Sequence, residues 1–187
     1  MNISTPLFEG SLVRLASIDH EKDPEVESRW THDPVFMRMM YTDPMRPLSV
    51  FQLKKKYEAL EKEIDESKNL CHFRIRARQD DHLIGFGEIG EISWPNGTGQ
   101  IRLGIGAADD RRKGFGTEAL GLLLRYAFSE INLYRLTAVI PEYNLPAQAL
   151  FTRAGFSLEV CRRKALARDD RRWDACLYGL IVHEWKQ

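Results

Sequence analysis

Apolar residues recur at intervals of three or four positions in the first third of the chain, which is the spacing of an amphipathic helix. They predict a helix over 49–68, with Ser49 in a suitable position to cap its N-terminus. The residues of this stripe are Val50, Leu53, Tyr57, Leu60 and Ile64. Upstream, the pattern over 23–41 is helical but broken, because Asp-Pro pairs at 23–24 and 33–34 are helix-start signals. A short strand is predicted over 12–15.

Alternating apolar and polar residues indicate strands in the middle of the chain. The segment 72–76 alternates in this way and is followed by a polar turn. Two further strand-like segments, 83–94 and 98–106, flank Pro95-Asn96-Gly97. Because Asn-Gly between two strands is a strong turn signal, these segments are predicted to form a hairpin.

A long amphipathic helix is predicted next, over 114–131. Its solvent face is expected to carry Glu118, Arg125 and Ser129. Its buried stripe is predicted to comprise Leu120, Leu123, Leu124, Ala127, Phe128 and Ile131.

The last third of the chain alternates strand and helix. The β-branched content of 135–140 predicts a buried strand, and 145–153 predicts a short helix that ends before Gly155. The segments 157–165 and 173–185 are predicted to form a final strand pair. The element order therefore predicts an α+β chain with one mixed sheet of six to seven strands and about four helices. We expect a single domain over 10–187, preceded by an N-terminal extension, 1–9.

Composition and charge narrow the possible partners. The chain has 187 residues with 27 Lys plus Arg and 27 Asp plus Glu, so no global field favours nucleic acid or an anionic membrane. No stretch approaches the roughly 20 apolar residues of a membrane-spanning helix.

The cysteines and histidines give no indication of disulfides or of a metal site. Cys71, Cys161 and Cys176 are scattered, and no signal peptide is visible, so a cytoplasmic location is expected. Five histidines without HExxH spacing or cysteine pairs give no indication of a metal site.

One short segment has the composition of an anion-binding loop. Arg111, Arg112 and Lys113 supply three cations directly before the predicted start of the long helix. The N-terminus of a helix carries unsatisfied N–H groups and a partial positive charge. Gly114 and Gly116 remove Cβ atoms that would keep a phosphate away from the backbone. The segment therefore predicts a diphosphate site.

Two other phosphate-binding motifs, the P-loop and the dinucleotide fingerprint, do not fit the chain. The string GxxxxGK followed by Ser or Thr does not occur, so a P-loop is excluded. GxGxxG occurs at 85–90, but strand and hairpin follow it where a dinucleotide site requires a helix. Taken by itself, the hexamer 111–116 is also compatible with a solvated basic turn.

The surroundings of this hexamer favour a specific family. Arg111-x-x-Gly114-x-Gly116 resembles the R/Q-x-x-G-x-G/A pattern of the GNAT superfamily of N-acetyltransferases. The similarity is to the branch of ribosomal-protein N-terminal acetyltransferases and spermidine acetyltransferases. Further matching positions are Gly85, 116–120, 126–128, Asn144, 154–156, Asp174 and 184–185. The element order agrees over 12–185, and the motifs are specific from Gly85 onward.

The resemblance implies that two central parallel strands splay apart and that acetyl-coenzyme A (acetyl-CoA), as co-substrate, lies between them. Backbone groups near Ile105 and Gly106 would bind the pantetheine arm, and amides from Arg112 to Thr117 would bind the pyrophosphate. Asn144 would bind the pantetheine arm, cap the following helix, or do both. The cofactor-binding residues implied in this way are Ile105, Gly106, Arg111, Arg112, Lys113, Gly114, Phe115, Gly116, Thr117, Asn144 and Phe151.

The implied reaction is direct attack of a primary amine on the acetyl thioester. An alkylammonium has a pKa of about 10.4, so a proton must leave before attack. Glu88, on the strand before the hairpin, is the preferred base, and Glu91 is expected on the opposite face of the sheet. Weaker candidates are His32, Glu142 and Tyr143, whereas His72 and His82 look like ordinary strand and turn residues.

One position departs from the family pattern. Many members carry Tyr where this chain has Phe151, and that Tyr protonates the departing thiolate. Tyr143 is the candidate to replace it, although a thiol with a pKa of about 8.5 leaves tolerably without an acid. The departure keeps an alternative open, namely a non-catalytic acyl-CoA-binding regulatory module.

The acceptor is expected to be a small-molecule amine or a peptide N-terminus: a protein N-terminus, a polyamine, an amino acid or another small amine. Apolar bulk in the first helical region suits core packing or an acceptor pocket, and both remain open. These residues are Trp30, Phe36, Met37, Met39, Met40 and Tyr41. Relatives are often dimers, so a homodimer is an expectation.

Overall fold

The computed structural model describes residues 6–186, which form seven strands and five α-helices. The strands are β1 Val13–Ala16, β2 Cys71–Ala77, β3 Leu83–Ser93, β4 Thr98–Ile105, β5 Arg135–Pro141, β6 Ser157–Arg168 and β7 Arg171–Ile181. The helices are α1 Asp23–Trp30, α2 Pro34–Met40, α3 Val50–Ser67, α4 Phe115–Arg125 and α5 Leu145–Arg153. Residues 1–5 of the predicted extension and Gln187 of the predicted domain lie outside the described residues.

All seven strands form one mixed sheet in the order β1-β2-β3-β4-β5-β7-β6. Only β4 and β5 are parallel neighbours among these strands, and the other pairs are antiparallel. The predicted mixed α+β sheet is therefore confirmed. The structure has one helix more than predicted because the broken segment 23–41 forms two helices. Asp33 causes the break, since its side chain caps α2 by accepting a hydrogen bond from the N–H of Val35 at 2.9 Å.

The two parallel strands separate after a short paired stretch. Residues 98–100 of β4 pair with residues 135–137 of β5, and pairing stops there. Each strand stays paired on its other side: β4 with β3 as far as Ile105, and β5 with β7 as far as Pro141. Because the outer partners hold both strands, their facing edges diverge and leave a cleft. The predicted splay is confirmed.

Helix α4 covers one face of the sheet and buries most of its predicted stripe. Ile131 is half-buried, and the helix ends at Arg125 in a single π-helical turn. Glu118, expected to face solvent, instead accepts hydrogen bonds from the N–H groups of Ser11, Leu12 and Val13 at 2.6–2.8 Å. It holds the start of β1 against α4. The buried stripe residues are Leu120, Leu123, Leu124, Ala127 and Phe128.

Helices α1 and α3 lie on the opposite face. Ser49 and Gln52 form a reciprocal capping box at the start of α3. The predicted hairpin between β3 and β4 is confirmed, and its turn is a short 3₁₀ segment ending at Gly97 with φ +61°. The last predicted strand is four residues too long, because the chain leaves β7 after Ile181. Within residues 6–186, no helix combines the length and apolar character that crossing a bilayer requires.

Candidate functional site

The divergence of β4 and β5 opens a cleft of about 440 Å³. Residues 100–103 of β4 form one wall and residues 138–141 of β5 form the other. Helix α5 contributes Ala147 and Phe151, and Asn144 before it completes that side. The end of α2 and the chain after it cover the other side with Met39, Met40, Tyr41, Thr42, Asp43 and Met45. The cleft thus has mainly apolar walls and lies at the centre of the sheet.

The apolar residues expected to form either core or pocket divide between the two roles. Trp30, Phe36 and Met37 are buried and pack with Leu83 and Phe86 in a small second core. Met39, Met40 and Tyr41, which follow Met37 after a single intervening residue, line the cleft. The helix end therefore marks the point at which core residues give way to cleft residues.

Helix α4 follows β4 through a short loop. Gly114 is its N-cap with φ +89°, a left-handed conformation that favours glycine. The N–H groups of Thr117 and Glu118 donate to the Gly114 carbonyl at 3.0 and 3.1 Å. By the geometry of an α-helix, the N–H groups of Phe115 and Gly116 have no intrahelical acceptor. They form a small cluster of donors at the positive end of the helix.

Gly116, in the first turn of this helix, lies beside the end of β4 and beside α5. A Cβ atom placed on it would come within 3.6 Å of Ile105 in β4 and 3.7 Å of Leu150 in α5, which are ordinary van der Waals distances. Its backbone also has no positive φ. Nothing in the surrounding protein therefore requires glycine at this position.

The three cations before the helix have different surroundings. Arg112 is exposed and adopts a left-handed conformation with φ +63°. Lys113 is also exposed, and its Nζ lies 3.9 Å from Asp110 Oδ1. Both side chains are free to turn toward an anion at the start of α4.

Arg111 instead points back into the fold. Its guanidinium donates to the carbonyl oxygens of Ile105 at 3.3 Å and Gly106 at 2.5 Å, and it forms a salt bridge with Asp33 at 3.0 Å. Gly106 also donates its N–H to the carbonyl of Ile84 at 2.9 Å. The backbone groups expected near the pantetheine arm at these two positions are thus largely occupied by protein partners. Residues 100–103 of β4, earlier in the strand, line the cleft.

Asn144 and Phe151 both lie in the cleft wall. Asn144 caps α5 by accepting from the N–H of Ala147 at 3.2 Å, and its Nδ2 donates to the carbonyl of Met39 at 3.1 Å. Phe151 is buried and packs edge-on against Phe156 with ring centroids 5.0 Å apart. The capping role considered for Asn144 is therefore present.

Tyr143 lies outside the set of side chains that line the cleft. Its hydroxyl donates to the carbonyl of Arg38 at 3.0 Å, and its ring packs against Trp173 at 5.5 Å. The weaker base candidates are also engaged elsewhere. Glu142 accepts from the N–H of Asp174 at 2.9 Å, and exposed His32 contacts the carbonyl of Ser28 at 2.8 Å.

Glu88 lines a second, smaller cavity of about 130 Å³ beside the cleft. Its carboxylate lies 3.4 Å from His72 Nδ1 and 3.4 Å from Arg102 Nη1. Burial acts to raise the pKa of Glu88, but the His72 hydrogen bond and the Arg102 charge outweigh it and hold the pKa below its ordinary value. Glu88 is therefore a carboxylate at neutral pH. Glu91 is exposed, in a bulge with φ +50°.

Two features of this region were not found from the sequence. The side chain of His72, which the sequence pattern indicates to be an ordinary strand residue, is buried in the wall of the cavity that contains Glu88. Behind it, Arg74 and Arg76 form buried salt bridges with Asp23 and Glu27 of α1. The alternation of 72–76 does place His72, Arg74 and Arg76 on one face, but only the register with β3 and the packing of α1 bring their partners to them.

Comparison with known proteins places this geometry in a family. Residues 13–157 match the family model described as an acetyltransferase (GNAT) domain. The N-acetyltransferase YnaD of Bacillus subtilis, itself described as uncharacterized, is 27% identical over 129 residues, which cover 65% of this chain and 70% of YnaD.

Solved structures agree at the level of the fold. The spermidine N-acetyltransferase of Vibrio cholerae, in complex with CoA and spermine, superposes with a TM-score of 0.79 at 20% identity, covering 94% of this chain and 98% of that one. RimJ of Mycobacterium smegmatis, in complex with CoA-disulfide, superposes with a TM-score of 0.79 at 21% identity, covering 94% and 84%. Because the family match spans well over half of its residues, the chain belongs to the GNAT family of acetyl-CoA-dependent acetyltransferases.

Proposed function

We propose that this protein transfers the acetyl group of acetyl-CoA to a primary amine, with the pantetheine arm between β4 and β5 and the pyrophosphate at the start of α4. The observation that carries the proposal is the early end of β4–β5 pairing at Gln100 and Thr137. It leaves a cleft whose walls lead to the helix N-terminus through Ile105 and Leu150, the neighbours of Gly116.

The residues at both ends of the cleft fit such a co-substrate. The absence of a Cβ at Gly116 has no internal explanation, but it lets a phosphate approach the free N–H groups of Phe115 and Gly116 closely. Arg112 and Lys113 add mobile positive charge. Arg111 fixes the loop by its contacts with Ile105, Gly106 and Asp33, and this is the role we propose for it.

Acetyl-CoA supplies an activated thioester, and attack by an amine on its carbonyl carbon gives an amide and the CoA thiol. The edge of β4 beyond Gln100 does not pair with β5, so its N–H groups are available to bind the arm and polarise the carbonyl. Asn144 and Phe151 would hold the arm from the α5 side. The proton of the amine would leave toward the cavity of Glu88, which shares Tyr41, Lys56 and Arg102 with the cleft. Tyr143 remains a candidate acid for the thiolate only if its hydroxyl leaves Arg38.

The acceptor would be one of four kinds of amine: a protein N-terminus, a polyamine, an amino acid or another small amine. The similar solved structures include a spermidine N-acetyltransferase and RimJ. The experiment therefore uses one representative of three of these kinds: spermidine, L-methionine and the tripeptide Ser-Ala-Ala with a free amino terminus. N-acetylated Ser-Ala-Ala, which has no amine, is the matched control.

Release of free thiol from acetyl-CoA should accelerate with at least one free amine and stay at the hydrolytic background with the blocked peptide. CoA alone should raise the melting temperature, because a ligand that binds only the folded state stabilises it. Binding of CoA without thiol release with any amine would contradict the transfer reaction. No thermal shift with CoA would contradict the cleft assignment as well.

A further inference from the structure

Three neighbouring strands carry His72, Glu88 and Arg102 in one row across the sheet. His72 of β2 pairs directly with Glu88 of β3, and Glu88 pairs directly with Arg102 of β4. One carboxylate oxygen of Glu88 contacts His72 Nδ1 and the other contacts Arg102 Nη1, both at 3.4 Å. The imidazole also stacks on Phe86, with ring centroids 5.8 Å apart and planes inclined by 14°. The orientation of the ring is therefore fixed from two sides.

The other nitrogen of this imidazole has no protein partner. The His72 side chain is only 6% exposed, and its Nε2 is fully buried without a hydrogen-bond partner among residues 6–186. A buried polar atom without a partner is uncommon, because it loses its hydration without compensation. His72 lines the cavity of about 130 Å³ described above, which is large enough for a few water molecules or the end of an alkylamine.

The chemistry of the pair determines which nitrogen carries the proton. A carboxylate only accepts hydrogen bonds, so Nδ1 of His72 must donate to Glu88. In a neutral imidazole this leaves a basic lone pair on Nε2. Burial and the charge of Arg74 both lower the pKa of His72, whereas the hydrogen bond with Glu88 raises it. Burial is the largest of these effects, so the pKa lies below its ordinary value. The ring is therefore neutral at pH 7 and able to accept a proton.

The cavity adjoins the cleft proposed for acetyl-CoA, because Tyr41, Lys56 and Arg102 line both. The two cations at this junction are both paired with carboxylates: Lys56 with Glu27 at 3.2 Å and Arg102 with Glu88 at 3.4 Å. The other titratable or charged groups of the cavity, besides His72 and Tyr41, are Glu27, Lys56, Tyr57, Arg74, Glu88 and Arg102.

We propose that Nε2 of His72 is the proton acceptor of the acetyl transfer, and that Glu88 is a positioning residue that holds the imidazole through Nδ1. This inference rests on the proposed function and changes the role of Glu88, the base expected from the sequence. The neutral amine attacks the thioester carbonyl carbon and forms the N–C bond, while one N–H proton passes to Nε2. A small movement of the cavity wall must expose this atom first, because it is fully buried. The C–S bond then breaks, the sulfur leaves with the electron pair, and the imidazolium returns its proton to the thiolate directly or through water.

The first test is the variant His72→Asn, whose amide can still donate to Glu88 but has no basic nitrogen at the Nε2 position. With whichever of spermidine, L-methionine or Ser-Ala-Ala is acetylated, kcat/KM should fall about 100-fold or more, the size of a general-base contribution. CoA affinity should stay within about twofold. Imidazole added to His72→Ala should restore part of the rate, which loss of a merely structural side chain would not allow.

The chain offers a matched control in a second histidine–glutamate pair. His20 Nε2 lies 2.8 Å from Glu61, but this pair is on the surface, with 37% and 48% of the side chains exposed. His20→Asn should leave kcat/KM within about twofold. A fall in kcat/KM of less than about threefold in His72→Asn would overturn the role proposed for His72. As long as the unchanged protein releases thiol, the proposed function would still stand.

The pH profile separates the two roles. The acidic limb of kcat/KM should report the pKa of His72, with activity lost as pH falls through that value and the imidazole takes a proton from solvent. Glu88→Gln removes the contact that raises this pKa, so the limb should move to lower pH while kcat falls. If the acidic limb stays at the same pH in His72→Asn and in Glu88→Gln, the roles proposed for His72 and Glu88 are both contradicted.

A spectroscopic measurement covers the case in which a variant does not fold. In ¹⁵N-labelled unchanged protein at pH 7, long-range ¹H–¹⁵N spectra should show His72 protonated on Nδ1 and unprotonated on Nε2. Protonation of Nε2 would overturn the inference irrespective of any activity. Absence of thiol release with every amine would instead remove the proposed function, and the inference with it.

Discussion

The guanidinium of Arg111 contacts the carboxylate of Asp33 at 3.0 Å, although the two residues are 78 positions apart in the sequence. Asp33 caps α2 by accepting from the N–H of Val35. Arg111 opens the loop that leads to α4, and its other contacts are carbonyl oxygens at the end of β4. The contact therefore couples the helix that covers the cleft to the loop proposed to bind pyrophosphate.

Asp33→Asn tests whether Arg111 acts by fixing this loop. Asn is an equally good N-cap, so α2 should remain intact. The substitution has two opposite effects on CoA binding. Removing the negative charge of Asp33 near the bound pyrophosphate would strengthen binding, whereas loosening the loop would weaken it. We expect CoA affinity to fall about threefold, in line with the small energy of a half-exposed salt bridge. Isothermal titration with CoA measures it, and tighter binding would show that Arg111 faces the pyrophosphate instead.

Gly116 should show opposite effects on stability and binding. Gly116→Ala places a Cβ at ordinary distances from Ile105 and Leu150. Because Gly116 is the second residue of α4, the fold should gain up to about 0.5 kcal/mol from the better helix former, less than at an interior position. The same methyl group would crowd a phosphate at the N–H groups of Phe115 and Gly116. Because the family pattern admits Ala at this position, we expect CoA affinity to fall only about threefold, while the melting temperature of the free protein rises.

The same helix contains the control for this substitution. A Cβ on exposed Gly121, in the interior of α4, would meet no atom within 4 Å. Gly121→Ala should therefore stabilise the fold by about 0.5–1 kcal/mol with unchanged CoA affinity. Equal CoA affinity in the two alanine variants would contradict the pyrophosphate position proposed here. Urea unfolding and isothermal titration measure the two quantities separately.

The buried salt bridges beneath the cavity should be among the most sensitive positions for stability. Arg74 is 1% exposed, contacts Glu27 at 2.8 Å and lies 3.6 Å from fully buried Asp23. Arg74→Met leaves both carboxylates short of positive charge, which should cost about 3–5 kcal/mol of unfolding free energy. The control is Arg78→Met, because the salt bridge of Arg78 with Glu9 is about half exposed. It should cost less than about 1 kcal/mol, and a similar loss in both variants, measured by urea unfolding, would contradict this assignment.

Most of the fold could be predicted from the sequence because its elements are encoded locally. The stripe of α4, the cap of α3 and the Asn-Gly turn are each fixed by residues within a few positions of one another. The loop before α4 was predictable for the same reason, since Gly114 and its cationic neighbours are contiguous. The splay of β4 and β5 came from the family resemblance, and the observed pairing confirms it.

The partners of the site residues could not be predicted, because they come from distant segments. Nothing in the sequence indicates that Arg111 points to Asp33 rather than to solvent. His72 acquires its environment only through the register that sets it opposite Glu88 and through the packing of α1 and α3. An alternating strand pattern determines which face a side chain occupies, but not which groups meet it there.

The contacts of Glu118 could not be predicted from the sequence either, because they come from the distant start of β1. Its carboxylate also makes the stability of the fold depend on pH. Besides three backbone N–H groups, it accepts from the hydroxyl of Ser11 at 2.6 Å. Burial acts to raise the pKa of Glu118, but these hydrogen bonds outweigh it and hold the pKa below its ordinary value of 4.5. A carboxyl group with a depressed pKa stabilises the fold above its unfolded-state value, and loses this effect as pH falls through the folded-state value.

Glu118→Gln should therefore destabilise the protein in a pH-dependent way. At pH 7 we expect a loss on the order of 2 kcal/mol, because the charge-assisted hydrogen bonds to the start of β1 become neutral and fewer. The gap between the two proteins should be constant down to about pH 5 and close below about pH 4, as the carboxylate is protonated in both folded and unfolded states. Urea unfolding between pH 3 and 7 measures it, with exposed Glu63→Gln of α3 as control. A gap that persists undiminished at pH 3 would mean that the stabilisation comes from the shape of the side chain and not from its charge.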